Sequence, residues 1–249
     1  MNVSKWYVDC VGDAGDLCIA YWLRLSWRSL RLTFASSLLF REGTLSTRSC
    51  ITRDAGPHLD GDTLTWRTEG LDVEMVRRAP AVSASLLDEV VQWRCELPAA
   101  EARIRVGDTT VCGRGYAELL TIEGAPWKLP IDELRWGRFT GEHSSAVWID
   151  WRGDHPLTFV SHDGRTAQTA SVGDGQVSFD GRSLTLEERQ IVRDEPLRNT
   201  FDDVPLLSRV LPKRLLDSQE CKWRSRGALA GGGSEADRGW CISEVVRFV

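Results

Sequence analysis

The feature that most constrains this chain is a recurring turn. Gly-Asp or Asp-Gly pairs stand at Gly12-Asp13, Gly107-Asp108, Gly153-Asp154, Asp163-Gly164 and Asp180-Gly181. Such pairs tolerate the left-handed backbone that tight hairpin turns require. Between them lie short runs of alternating apolar and polar residues, including Lys5–Val11, Leu17–Leu25, Leu64–Met75, Ala102–Val106, Ala146–Arg152 and Gln176–Phe179. Alternation places successive side chains on opposite faces of a strand. Short strands at regular intervals with turn signals predict an all-β antiparallel sandwich or barrel.

Local details sharpen the expectation. Lys5–Val11 and Leu17–Leu25 read as a hairpin, with Cys10 and Cys18 facing each other across it. Leu23, Leu25 and Trp27 point inward, Arg24 and Arg28 outward, and a turn or bulge falls near Ser29. The run Val90–Leu97 ends at Pro98, which cannot donate to a ladder. Helical signal is thin: one or two short helices are expected, with candidates at Ser83–Val91 and at Leu206–Asp217, the second with Pro212 inside. Ala228–Glu235 reads as a flexible loop and Gly239–Val249 as a closing strand. The 249 residues suit one continuous β architecture over 1–249, with halves at about 1–125 and 126–249. No repeat of fixed period is visible.

Composition narrows function. With 31 Lys+Arg against 36 Asp+Glu the net charge is −5, which gives no global attraction for nucleic acid or anionic lipid. The apolar clusters around Leu17–Leu23 and Phe34–Phe40 are too short and too interrupted for a transmembrane segment. Met1–Trp6 carries no apolar leader. The seven cysteines form no CxxC pair and read as buried, reduced thiols of a cytoplasmic protein. Four scattered His (58, 143, 155 and 162) give no metal site. Eleven Trp against three Tyr is the oddity, and Trp127, Trp136, Trp148 and Trp151 lie close together in sequence. Such rings line an apolar cavity or pack a sheet. A flat row of exposed Trp would instead indicate a carbohydrate-binding sandwich.

The densest chemistry lies in Gly113-Arg-Gly-Tyr-Ala-Glu118, Leu134-Arg-Trp-Gly-Arg138 and Trp148-Ile-Asp-Trp151. Gly113 and Gly115 lack the third glycine and following helix of a dinucleotide site. This ordered set, with Lys5-Trp-Tyr7 near the start and Gly239-Trp-Cys-Ile-Ser-Glu244 near the end, resembles the carotenoid 1,2-hydratase (hydroxyneurosporene synthase) and AttH-like superfamily. In that group a Gly-x-Gly-Tyr-x-acid segment precedes a Trp-Gly element; Glu118 stands here where Asp is more usual. The resemblance implies a lipocalin-like architecture of one or two half-barrels. It also implies cofactor-free hydration, isomerisation or cyclisation of an apolar isoprenoid, polyene or polyketide.

Such chemistry needs one carboxylic acid to protonate a double bond and aromatic faces to stabilise the cation. Glu118 is the first candidate acid; a surface position, or pairing with Arg114 or Arg138, is the structural alternative. Tyr116 shares its strand face and would donate to a substrate oxygen, unless it is simply a half-buried core residue. Asp150, on the face of Trp148, is the second acid, or else the polar side of a half-exposed strand. Arg138 would clamp a carboxylate or enolate, or close an internal salt bridge. Trp136, Trp148 and Trp151 are the expected cavity lining, and Asp9 a third inward polar group. The competing function is a non-catalytic carrier of an apolar small molecule. Oligomeric state is not encoded in any visible pattern.

Overall fold

The structure is a computed structural model that describes residues 1–87, 89–201, 211–231 and 234–248. Among the described residues the chain divides into two compact units, the first of residues 1–129 with Phe201 and the second of 130–200 and 211–248. Each unit holds one antiparallel sheet, and the fold is all-β and lipocalin-like. No helix among the described residues is long and apolar enough to cross a membrane.

The first sheet contains β1 (Asn2–Gly12), β2 (Leu17–Trp27), β3 (Leu30–Arg41), β4 (Thr44–Ile51), β5 (His58–Asp60), β6 (Thr63–Thr68), β7 (Leu71–Arg77), β8 (Val82–Leu86), β9 (Val91–Val106) and β10 (Thr109–Glu123). Its order is β4-β3-β2-β1-β10-β9-β7-β6-β5, with β8 also on β9. The second sheet contains β11 (Glu133–Gly141), β12 (Ser145–Arg152), β13 (Leu157–His162), β14 (Arg165–Thr166), β15 (Ala170–Val172), β16 (Gln176–Phe179), β17 (Arg182–Pro196), β18 (Gln219–Gly231) and β19 (Ser234–Arg247). Its order is β14-β13-β12-β11-β19-β18-β17-β16-β15.

The two sheets share one plan. In each, the first strand lies at the centre, between the second strand and the last. The central registers also match. Gly12 faces Gly113 and Tyr7 faces Glu118; Gly141 faces Gly239 and Trp136 faces Glu244. Gly113-Arg-Gly-Tyr-Ala-Glu118 and Gly239-Trp-Cys-Ile-Ser-Glu244 therefore occupy corresponding places on the last strand of each unit. A Cβ at Gly113 would overlap the Val11 carbonyl oxygen, and one at Gly239 the Thr140 carbonyl oxygen. The glycines are required by close approach of the paired strands.

Peripheral strands alternate as expected: Leu64, Trp66, Leu71, Val73 and Met75 are buried between exposed neighbours. Central strands do not, because both faces are covered. In β1, Val8 and Cys10 join the apolar cluster with Trp22, Trp66 and Met75. Tyr7, Asp9 and Val11 on the opposite face are also buried. The second unit's cluster gathers Phe139, Trp148, Val160, Val177, Phe179 and Leu184.

Several local expectations are corrected. Trp27 is 51% exposed rather than inward, because it sits at the tip of the β2-β3 hairpin, under the Arg28 guanidinium. The strand expected to stop at Pro98 runs through it. Pro98 lies where β9 meets a register shift against β10 and changes partner from β8 to β7, so no ladder donor is needed there. Ser83–Val91 is the β8-β9 hairpin rather than a helix, its turn built on positive-φ Leu87 and Glu89. Of Leu206–Asp217, residues 206–210 lie outside the described residues; the remainder forms a short helix, α1 (Lys213–Asp217), with Pro212 before it. Ala228–Gly231 is strand, not loop, because Leu229 packs in the second apolar cluster; residues 232 and 233 lie outside the described residues. The thiols are not uniformly buried. Cys10, Cys18, Cys95 and Cys241 are, whereas Cys50 on edge strand β4 and Cys112 are exposed and Cys221 is intermediate. Cys10 and Cys18 are register partners and are not joined by a disulfide.

Candidate active site

The first unit concentrates polar side chains on the covered face of its central strands. Alternation along β10 turns Tyr116 and Glu118 to one side. The β1 register sets Asp9 against Tyr116 and Tyr7 against Glu118. On the other flank β9 sets Cys95 against Glu118, just past the bulge between Gly115 and Glu118. Such irregularities re-aim side chains. Glu118 Oε2 accepts the Tyr116 hydroxyl at 2.6 Å and the Trp93 indole N–H at 2.6 Å. These are short contacts of the kind seen with charged or strongly polar partners. The Tyr7 hydroxyl donates to Asp9 Oδ2 at 2.9 Å, and the Tyr7 ring meets Tyr21 and Tyr116 edge-on at 5.3 and 5.9 Å. Asp9 and Tyr116 are wholly buried and Glu118 is 7% exposed.

The electrostatics keep the donors neutral. Burial, then the neighbouring Cys95 and Glu118, pushes the Tyr116 hydroxyl well above its ordinary value. Burial likewise pushes the Cys95 thiol up. Tyr116 is therefore a permanent O–H donor at neutral pH, and the two donors fix the Glu118 carboxyl in one orientation. A carboxyl so held can transfer a proton to a neighbouring carbon or receive one from oxygen.

The other expected residues belong to the second unit. Asp150 is buried, but it accepts Thr158 Oγ1 at 2.6 Å and Arg152 Nε at 2.9 Å, the ties of a structural carboxylate. Arg138 is fully buried and donates to Thr140 Oγ1 at 3.3 Å and to the Trp240 carbonyl at 3.4 Å. Trp136, Trp148 and Trp151 are buried. Trp148 and Trp151 lie on opposite faces of β12, three residues apart. A pocket of about 340 Å³ in this unit is lined by Trp136, Trp148 and Trp223; Trp151 is not part of its wall. Glu118 and Tyr116 are thus brought together, whereas Asp150 and Arg138 hold partners within the second unit and Trp151 is buried outside the pocket wall. Apart from Trp27, no Trp among the described residues is strongly exposed, so there is no flat row for a sugar.

Sequence reasoning missed the second unit's buried charges. Lys222 is fully buried on β18, with Glu220 Oε1 at 3.3 Å and Glu244 also in contact. Glu244 is its register partner across β18-β19, just as Glu118 faces Cys95 across β10-β9. The matching Gly-to-Glu spacing of the two last strands was the signal that could have found it.

The fold and the buried polar face define a lipocalin-like all-β protein with a buried carboxyl, Glu118, held by Tyr116 and Trp93. Several solved structures share this shape. A Nitrosomonas europaea protein provisionally designated AttH matches with TM-score 0.59 and 11% identity, over 98% of this chain and 92% of that one. Kievitone hydratase from Nectria haematococca matches with TM-score 0.56 and 10% identity, over 98% and 88%. CghA, in a crystal with Sch210972, matches with TM-score 0.60 and 12% identity, over 99% and 88%. These likenesses are of fold. No protein-family model matches the sequence, and no curated protein does.

Proposed function

We propose that this protein is a cofactor-independent enzyme that hydrates, isomerises or cyclises an apolar isoprenoid- or polyene-type small molecule by acid catalysis. The observation that carries this reading is the buried Glu118 carboxyl, held by Tyr116 and Trp93 at 2.6 Å each. A hydratase among the proteins of the same fold supports it. In this reading the Glu118 carboxyl carries the transferable proton. Glu118 gives that proton to an alkene carbon and leaves a carbocation. In hydration, water adds to the cation and returns a proton to the carboxylate. In isomerisation or cyclisation, the carboxylate takes a proton from an adjacent carbon. Indole and phenol faces such as Trp93 and Tyr7 stabilise the cation through their ring quadrupoles. Exclusion of bulk water strengthens each of these interactions.

All three reactions begin by placing a solvent-derived proton on carbon. Turnover of prenylated phenols and acyclic polyenes in deuterium oxide, read by mass spectrometry, should therefore introduce deuterium on carbon. Glu118→Gln still accepts from Trp93 and Tyr116, so the fold should persist while the rate drops about a hundredfold or more. Undiminished turnover by Glu118→Gln would remove Glu118 from the mechanism. A co-purifying ligand released chemically unchanged by wild type would favour the carrier.

A further inference from the structure

The β2-β3 hairpin ends in a two-residue turn, Arg28-Ser29, between the register partners Trp27 and Leu30. Among the described residues of the first unit, the three most exposed large apolar side chains are Leu30, Trp27 and Ile51, at 52, 51 and 50%. All three lie on one face of the sheet. Antiparallel partners point the same way, and alternate residues return to the same side. Trp27 pairs with Leu30, Leu25 with Leu32, and Phe34 with Ile51, and Leu30, Leu32 and Phe34 follow one another at steps of two. The result is an apolar ridge that runs from Ile51, past half-buried Leu32, out to the hairpin tip.

The charges beside this ridge are of one sign. The chain as a whole has net charge −5, yet residues 17–53 hold six Arg and one acid, Glu42. Glu42 lies in the turn at the far end of β3, beside Arg41, which also reaches Asp16. Arg28 and Arg31 are exposed at the tip, and no ion pair engages either among the described residues. Arg28 stands at φ 55°, in the left-handed region where Gly or Asn would turn the chain more easily. The Thr52 N–H donates to the Thr33 carbonyl at 3.0 Å, which carries exposed Arg53 toward the same end. Asp54 is taken up by the Trp22 indole N–H and the Gly56 N–H, each at 3.1 Å. On the other flank, Glu123 stands two strands away, beyond Asn2.

An indole and a leucine at a hairpin tip, with guanidinium groups at their margin, match the chemistry of a lipid surface. The apolar side chains enter the headgroup region while the cations stay at the phosphates. Each basic group near an anionic leaflet adds to the attraction. A stable protein partner would need roughly 20–30 residues a side, far more than the tip presents. We propose that the β2-β3 tip docks this protein on anionic lipid membranes, with Trp27 and Leu30 in the interface and Arg28 and Arg31 on lipid phosphates. The surface uses none of Glu118, Tyr116 or Trp93, so it stands whether or not the acid-catalysis reading does.

The test is flotation of the full chain with vesicles of mixed phosphatidylcholine and phosphatidylglycerol, against vesicles of phosphatidylcholine alone. Wild type should float with the mixed vesicles, less with phosphatidylcholine, and less as salt is raised. Trp27→Ser with Leu30→Ser should weaken binding about tenfold or more, as two apolar side chains leave the interface. Arg28→Glu with Arg31→Glu should weaken binding to the mixed vesicles about tenfold or more as well. All four side chains are exposed, so both double variants should fold as wild type does. If either does not, Trp27→Ser and Arg31→Gln alone decide. Ile191→Ser removes an apolar side chain of the second unit that is 57% exposed, and should bind as wild type does. No binding by wild type, equal binding to the two kinds of vesicle, wild-type affinity in either tip variant, or an equal loss in Ile191→Ser overturns the proposal. So does a solution dimer that the Trp27 and Leu30 changes dissociate, which would place a second copy on the ridge.

Discussion

At the scale of single residues, the two units place different chemistry in one frame. The register aligns Tyr7, Glu118 and Cys95 across β1-β10-β9, and Trp136, Glu244 and Lys222 across β11-β19-β18. In the first, neutral donors hold the carboxyl; in the second, an ammonium does. Lys222 has no exposed surface, and its contacts with Glu220 and Glu244 offset its desolvation. Lys222→Met leaves two carboxylates without that cation, and should cost about 3–5 kcal/mol in urea unfolding. Adding Glu244→Gln should recover part of the loss. A single variant as stable as wild type would show that the cation is not what holds this face together. Glu118 and Tyr116 were legible in the sequence because alternation alone puts them on one side of β10. Lys222 was not: a lysine on an alternating strand reads as solvated until the covering of that face is known. Asp150 was visible as a candidate acid, but its ties to Arg152 and Thr158 required the geometry.

At the scale of elements, turn chemistry was the most readable layer. Gly and Asp pairs end strands at β1, β9, β12, β13 and β16, where the backbone needs the left-handed region at Gly107, Asp163 and Asp180 among others. Elements whose cause is tertiary were misread. Pro98 is tolerated because two partner strands meet there, and Ala228–Gly231 is strand because Leu229 has a core to enter. The glycines at the central registers make a sharper prediction. Gly113→Ala and Gly239→Ala each force a methyl group against a backbone carbonyl that cannot rotate away. Each should destabilise by about 1–3 kcal/mol, the range for overpacking, seen as a lower thermal midpoint. Gly43→Ala has open space but a positive φ of 76°, so its cost should be local strain only. If the two central variants melt with wild type, close strand approach does not explain those glycines.

At the scale of the whole molecule, the units differ in how they should respond to acid. Among the described residues, the carboxyls resolved as held below their ordinary range are Glu133, Asp174, Asp180 and Asp237, and all belong to the second unit. Burial alone would raise Glu133, but hydrogen bonds from Arg135 and Arg247 outweigh it. Arg135 holds Asp174 down in the same way. Asp180 is lowered by backbone and side-chain donors at Gln168 and Thr169. Burial opposes the shift at Asp237 too, and Ser144 with the backbone of residues 142–144 overcomes it. A carboxyl depressed in the folded state contributes stability above its unfolded pKa, near 4, and loses it as pH falls through the lower folded value. Stability from these groups is thus intact at neutral pH and drains away between about pH 4 and 2. The exposed pairs contribute little each, so Glu133, which joins β11, β12 and β19 through Arg135, Arg152 and Arg247, should dominate. Pepsin, active in that window, offers the measurement. Cleavage on acidification should begin within the second unit, while Glu133→Gln, which has no charge to lose, should show a smaller change in susceptibility with pH. Cuts that begin in the first unit, or the same pH dependence in Glu133→Gln as in wild type, would place the acid-sensitive contacts elsewhere.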